Sequence, residues 1–240
     1  MKPKYTLNFN KLSKNDANIA GGKGASLGEM TQANIPVPPG FVILSSTFDH
    51  FIHTTGLVEE IGAILDGVDH KTPHTVEIAS EKIEGLIRQQ EIPEDIKKEI
   101  FNNFKKLETK FVAVRSSATA EDGAEHAWAG QLESYLNTTE ETLFENTKRC
   151  WASLFTPRAI FYRFEKSLDK TRISVAVVVQ KMIQSEKSGI AFSVHPITED
   201  PNQLIIEAGF GLGEAVVSGS ITPDSYVVEK ESLKIINIVV

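Results

Sequence analysis

The chain has 240 residues, 41% apolar and 24% charged, and a formal net charge of −7. That is enough apolar chain for a sizeable core, in one large domain or two smaller lobes, and the ordinary charge content excludes wholesale disorder. The acidic balance argues against a broad nucleic-acid footprint, and no apolar run reaches membrane-spanning length or forms a signal-peptide centre. A single cysteine, Cys150, excludes an internal disulfide and any multi-cysteine metal site. The expectation is a soluble, cytoplasmic globular protein.

In chain order, "ANIAGGKGAS" (17–26) reads as a loop opening a helix that runs to about Ala33. "NIPVPPGF" (34–41) breaks it and turns the chain into a short strand, "FVIL" (41–44). Residues 46–108 are predicted to be helical in pieces. One piece places Val76, Ala79, Ile83, Leu86 and Ile87 on a single face; another does so with Ile96, Ile100, Phe104 and Leu107, with Pro93 and two acids suiting its start.

From residue 111 the texture changes to the apolar runs "FVAVR", "SVAVVVQ", "GIAFSV" and "QLIIEA", which fit strands covered on both faces. Between the first two lies a helical stretch from 137 to 164. It is predicted to start with a Thr138/Glu141 capping box and to carry Leu143, Phe144, Thr147, Trp151 and Leu154 on one stripe. Cys150, inside that pattern, reads as a buried structural thiol. The expected organisation is a helix-rich lobe over 1–110 and a sheet-centred lobe over 111–240. Because "SLKIINIVV" stops on an apolar strand-like run, the second lobe is expected to be incomplete.

Three small-residue segments invite a phosphate. In "IAGGKGASLGEM" (19–30), glycines 21, 22 and 24 allow close backbone approach to a ligand, the following helix offers its positive end, and Lys23 adds a charge. A Walker A reading fails, because Ala17 stands where the first glycine belongs and Gly24 follows the lysine. A glycine-rich helix cap with a solvated lysine is the equal alternative. In "VRSSATAED" (114–122), Arg115 is read as ending a strand, with Ser116, Ser117 and Thr119 supplying hydroxyls in a loop and a second small-residue turn at Ala129–Gly130. Glu121, Asp122 and Glu125 cut against that reading, and a plain connector is the alternative. In "EAGFGLGEAVVSGSITPD" (207–224), glycines 209, 211 and 213 give G-x-G-x-G and not the dinucleotide spacing, so a glycine loop over a ligand or a bulged hairpin are the readings. The strand end "VVVQKMI" (177–183) could present backbone and Met182 to a purine, or simply bury Met182. The six histidines form no H-E-x-x-H motif, and there is no G-x-S-x-G elbow.

Taken in order, "GGKGASLGEM…IPVPPGFVI", "VRSSATAED…AWAGQLESYLN", "VVVQKMI…SGIAFSVHP" and "EAGFGLGEAVVSGSITPD" resemble the N-terminal nucleotide-binding domain of the phosphoenolpyruvate synthase (pyruvate, water dikinase) family across essentially the whole chain. The resemblance implies an α+β, ATP-grasp-like fold in which "VRSSATAED" lines the phosphates of ATP. It implies that Lys23 and Arg115 neutralise the triphosphate, that Gly130 and Ser134 approach it, and that Gln180 with its neighbours Lys181, Met182 and Ile183 meets the adenine. It further implies Mg²⁺ with the ATP, and phosphohistidine and pyruvate-binding domains as partners outside this chain. Glu207 and Glu214 lie near the right loops, but nothing singles them out as metal ligands. Rifampin phosphotransferase-like enzymes, or a stand-alone nucleotide-binding module, are the alternatives, since the acceptor is chosen by domains this chain lacks.

Overall fold

The computed structural model describes residues 4–119, 133–165 and 174–240. The chain divides into two compact units, Met1–Met182 and Ile183–Val240. The boundary expected near residue 110 is therefore displaced, and strand pairing is the reason. Strands β1 (Thr6–Asn8) and β2 (Gly40–Ile43), from the supposed helical lobe, join β3 (Val112–Thr119), β4 (Ser134–Thr138) and β5 (Ser174–Lys181) in one antiparallel sheet of order β1-β2-β5-β3-β4.

The unbroken apolar run of β5 follows from its central position. Val175, Val177 and Val179 enter a large core with Phe41, Ile43, Val112 and Val114. Ala176 and Val178 enter a smaller core on the other face, with Phe9, Leu12, Ala20 and Val42. The large core is completed by α2 (Ser45–Thr54), α3 (Leu57–Asp66), α4 (Pro73–Gln89), α5 (Glu94–Lys105), α6 (Leu143–Ala152) and α7 (Pro157–Glu165), through side chains such as Phe51, Leu57, Ile83, Ile100, Trp151 and Ala159. The smaller core is covered by α1 (Ala17–Gln32).

The amphipathic readings hold. Val76, Ala79, Ile83 and Ile87 are buried on α4, with Leu86 partly so, and Ile96, Ile100 and Phe104 are buried on α5. Cys150 is fully buried, and burial pushes its thiol pKa far up, so it is inert packing.

Two local readings are corrected. "VRSSAT" is not the start of a loop: β3 continues to Thr119, because an eight-residue register with β5, from Val112 opposite Lys181 to Thr119 opposite Ser174, holds it extended. The Thr138/Glu141 capping box does not form either. Thr138 ends β4, where its hydroxyl donates to the Tyr135 carbonyl and accepts from Asn146, and α6 begins only at Leu143.

The second unit is an antiparallel meander of β6 (Lys187–Phe192), β7 (Gln203–Phe210), β8 (Asp224–Glu229) and β9 (Ile235–Val239). The "GFGLGEAVVSGS" segment is the β7–β8 connection and carries the single turn α8 (Glu214–Val217). No helix among the described residues is long and apolar enough to cross a membrane.

The edge strand β1 is held by α5. One carboxylate oxygen of Glu99 accepts from the Tyr5 amide (3.0 Å), the Thr6 amide (2.8 Å) and the Thr6 hydroxyl (2.8 Å). Hydrogen bonds to a charged acceptor are worth about 1.5–3 kcal/mol, so Glu99→Ala is expected to lower unfolding free energy by about 2 kcal/mol. A urea titration checks this, and an unchanged midpoint would refute the tether.

Candidate functional site

The site is built where α1 lies across β3 and β5. In antiparallel pairs, residues directly opposite share a face. The register places Arg115 between Ser134 on β4 and Val178 on β5, and Ser117 opposite Ala176. Since Ala176 and Val178 pack toward α1, Arg115 and Ser117 lie on that same face.

Helix α1 is kinked at Gly21, whose backbone (φ 66°, ψ 169°) lies in a region essentially reserved for glycine. The kink brings the chain so close to β3 that a Cβ on Gly21 would fall 2.2 Å from the Ser117 Oγ and 2.4 Å from its carbonyl oxygen. Beyond the kink, the Ser117 hydroxyl accepts from the backbone amides of Lys23 (3.2 Å) and Gly24 (3.4 Å). The Lys23 ammonium donates to the Ser116 carbonyl (2.9 Å). Lys23 is exposed as a residue, but its ammonium, held at the Ser116 carbonyl, is partly stripped of water. That desolvation first, and the nearby Arg115 charge second, lower its pKa.

Arg115 and Lys23 line one cavity of about 400 Å³, with Gly22, Ser26, Leu27, Met30 and Val178. A lining of two cations together with the apolar Leu27, Met30 and Val178 suits an amphiphilic anion. Arg115 is braced from β5: its Nη1 donates to the Gln180 Oε1 (3.2 Å), while Gln180 Nε2 donates to the Pro38 carbonyl (3.1 Å). Gln180 is buried. Its amide is thus engaged by Arg115 and Pro38, and the side chain expected to meet a base is placed to hold an arginine.

The other expected residues are distributed as follows. Ser134 is exposed and directly opposite Arg115. Met182 is neither in the core nor at the cavity; it lies just past β5, where its sulfur accepts from the Asn137 amide (2.9 Å). Gly130, with Ala129, Glu121, Asp122 and Glu125, lies outside the described residues.

The hydroxyls expected to face a phosphate are spent internally. Ser116 donates to the Glu133 carbonyl (3.0 Å), Thr119 donates to the Ser174 carbonyl (2.9 Å), and Ser117 caps α1. Gly24, expected to open the backbone to a ligand, instead makes room for Val42, 3.0 Å from where its Cβ would stand. In the second unit, Gly211 accepts from Ser185 (3.2 Å) and Ser188 (2.6 Å), closing the glycine segment onto the approach to β6 and onto β6 itself.

Sequence reasoning missed Ser26, Leu27, Met30, Val178 and Pro38. The first three were accessible in principle, because 23, 26, 27 and 30 share one helical face. Val178 and Pro38 required the β3–β5 and β2–β5 registers.

The geometry at Gly21 is checked by a pair of substitutions. Gly21→Ala meets both the strained backbone and the Ser117 contact and is expected to cost about 2–4 kcal/mol in unfolding free energy. Gly22→Ala has open space around its Cβ and is expected to stay within about 0.5 kcal/mol of the parent. Equal stability of the two variants would contradict the close approach.

Comparison with known proteins supplies the family. The model described as "Pyruvate phosphate dikinase, AMP/ATP-binding domain" matches residues 17–240. A probable phosphoenolpyruvate synthase of Methanocaldococcus jannaschii is 46% identical over 241 residues, covering 98% of this chain and 20% of the relative. A second, from Methanothermobacter thermautotrophicus, is also 46% identical, over 99% of this chain and 36% of the relative. The phosphoenolpyruvate synthase of Pyrococcus furiosus is 40% identical over 95% of this chain and 33% of its own length. The chain thus spans about a fifth to a third of these curated relatives. By the match over residues 17–240, the chain belongs to the pyruvate phosphate dikinase AMP/ATP-binding domain family.

Proposed function

We propose that the first unit binds Mg-ATP in an ATP-grasp-like manner and serves as the nucleotide-binding part of a pyruvate, water dikinase. The observation that carries this reading is the convergence of Lys23 and Arg115 on one cavity beneath a glycine kink. These two side chains come from elements more than 90 residues apart, and both are cationic. Arg115 is held rigidly enough by Gln180 to present its fork to phosphate oxygens. Ser134, opposite Arg115, and Gly130 are assigned to the same phosphates, and Gln180 contributes by holding Arg115. Mg²⁺ enters with the nucleotide, since shielding of the triphosphate is a general requirement of phosphoryl transfer.

The relatives' name supports the larger reading. A phosphoryl group of ATP passes to a histidine on one further domain and then to pyruvate on another, giving phosphoenolpyruvate, AMP and phosphate. This chain contributes the ATP site, and catalysis of the whole reaction belongs to the longer protein.

Calorimetric titration with ATP, with and without Mg²⁺, tests the site. Arg115→Ala is expected to weaken Mg-ATP by about 1.5–3 kcal/mol, roughly ten- to a hundredfold; unchanged affinity would remove Arg115 from the site. The same titration across pH tests Lys23. Its pKa is lowered in the folded chain, so the ammonium is lost at a lower pH than an ordinary lysine's. Affinity is therefore expected to fall as pH rises through that lowered value, and Lys23→Met is expected to abolish this fall. A pH profile identical in the two proteins would show that Lys23 does not face the phosphates.

A further inference from the structure

We propose that Ser117 is a positioning residue for the nucleotide, acting through Lys23 and not by touching the ligand. The inference rests on the Mg-ATP reading of the cavity.

A helix leaves its first amides without intrahelical partners, and a hydroxyl or carboxylate usually caps them from the residue just before the helix. In α1 the helix restarts after Gly21, and glycine has no side chain to offer. The acceptor is delivered from β3, 94 residues away: the Ser117 Oγ receives the amides of both Lys23 and Gly24. Ser117 is 1% exposed, and its hydroxyl lies under the kink against Gly21. It is therefore placed to meet the helix and not a bound molecule.

The cap has a geometric consequence. Arg115 and Ser117 are alternate residues on the same face of one strand, so fastening the Lys23 backbone to Ser117 fixes the origin of one cation relative to the other. The neighbouring Ser116 carbonyl then receives the Lys23 ammonium, so backbone and side-chain head are both tied to consecutive residues of β3. A pair of charges meant to grip one phosphate chain gains from such preorganisation, because the cost of orienting them is met on folding and not on binding. The same cap engages the Lys23 and Gly24 amides, so these two amides act on the fold and not on the anion.

The test uses the 240-residue chain, Ser117→Ala, Lys23→Met and the double variant, with Mg-ATP as the probe. Backbone amide exchange is read first, without ligand. In Ser117→Ala the Lys23 and Gly24 amides are expected to exchange faster, while those from Leu27 to Thr31 keep the parent's rates. Unchanged exchange at 23 and 24 would overturn the cap. Affinity is then read by calorimetry. Ser117→Ala is expected to weaken Mg-ATP about 5- to 10-fold in the parent, but less than about 2-fold when Lys23 is already methionine. An equal factor in both backgrounds, or no loss in the parent, would overturn positioning through Lys23. If the unsubstituted chain binds no Mg-ATP, the nucleotide reading and the positioning role fail together, while the exchange data still judge the cap separately. Should Ser117→Ala fail to fold, Ser117→Cys keeps the volume with a weaker acceptor and is expected to show the same pattern at smaller amplitude; its absence would overturn the proposal equally.

Discussion

The eight-residue antiparallel pairing of β3 with β5 governs everything at the site. Because opposed residues share a face, this one register decides that Arg115 stands over Val178, that Ser117 stands over Ala176, and that Gln180 lies diagonally within reach of Arg115. A slip of one residue would send Arg115 and Ser117 into the large valine and aromatic core on the opposite face. That core makes the slip prohibitive: Val112 and Val114 would have to leave it and a guanidinium and a hydroxyl take their places among the valines of β5. The hydrophobic division of β5 between two cores thus keeps a charged residue on the side where α1 and its lysine can meet it.

Helix α1 answers that strand with two kinds of complementarity. Its close approach depends on absent side chains: Gly21 lets the kink settle onto Ser117, and Gly28 similarly accommodates Leu12. Its anchorage depends on hydrogen bonds, from Lys23 and Gly24 into Ser117 and from the Lys23 head into Ser116. The result separates two tasks that a glycine-rich phosphate loop usually combines. The backbone amides and small hydroxyls hold the fold together, and the two cationic side chains line the cavity.

Much of this was legible in the sequence, and the failures have identifiable causes. The amphipathic faces of α4 and α5 were readable because a helix's burial pattern is local and periodic. So were β3 and β5, since continuous apolar runs report coverage on both faces; the runs of β6 and β7 form strands too, but β6 is largely exposed and β7 only partly buried. Lys23 and Arg115 were recognisable as candidates because a cation among small residues is unusual in a packed segment. What was misread was "VRSSAT". Its serines and threonine have turn character in isolation, yet the partner strand and three internal partners, the Glu133 and Ser174 carbonyls that accept from Ser116 and Thr119 and the helix amides that donate to Ser117, hold it extended. Thr138 was misplaced for the same reason, since β4 claimed it before α6 could use it as a cap.

By itself, then, the sequence determined most of the α and β segments, though not β1 or β8, the mixed fold class, the two cations and the ordered motifs that mark the family, all of which depend on side-chain type and spacing along the chain. Tertiary structure alone decided that the first 45 residues complete the sheet of the later ones, that Ser117 serves a helix 94 positions away, and that Gln180 braces Arg115 against Pro38. Those are contacts between residues far apart in sequence. Their partners are selected by strand register and by the missing Cβ of one glycine, neither of which leaves a local signature.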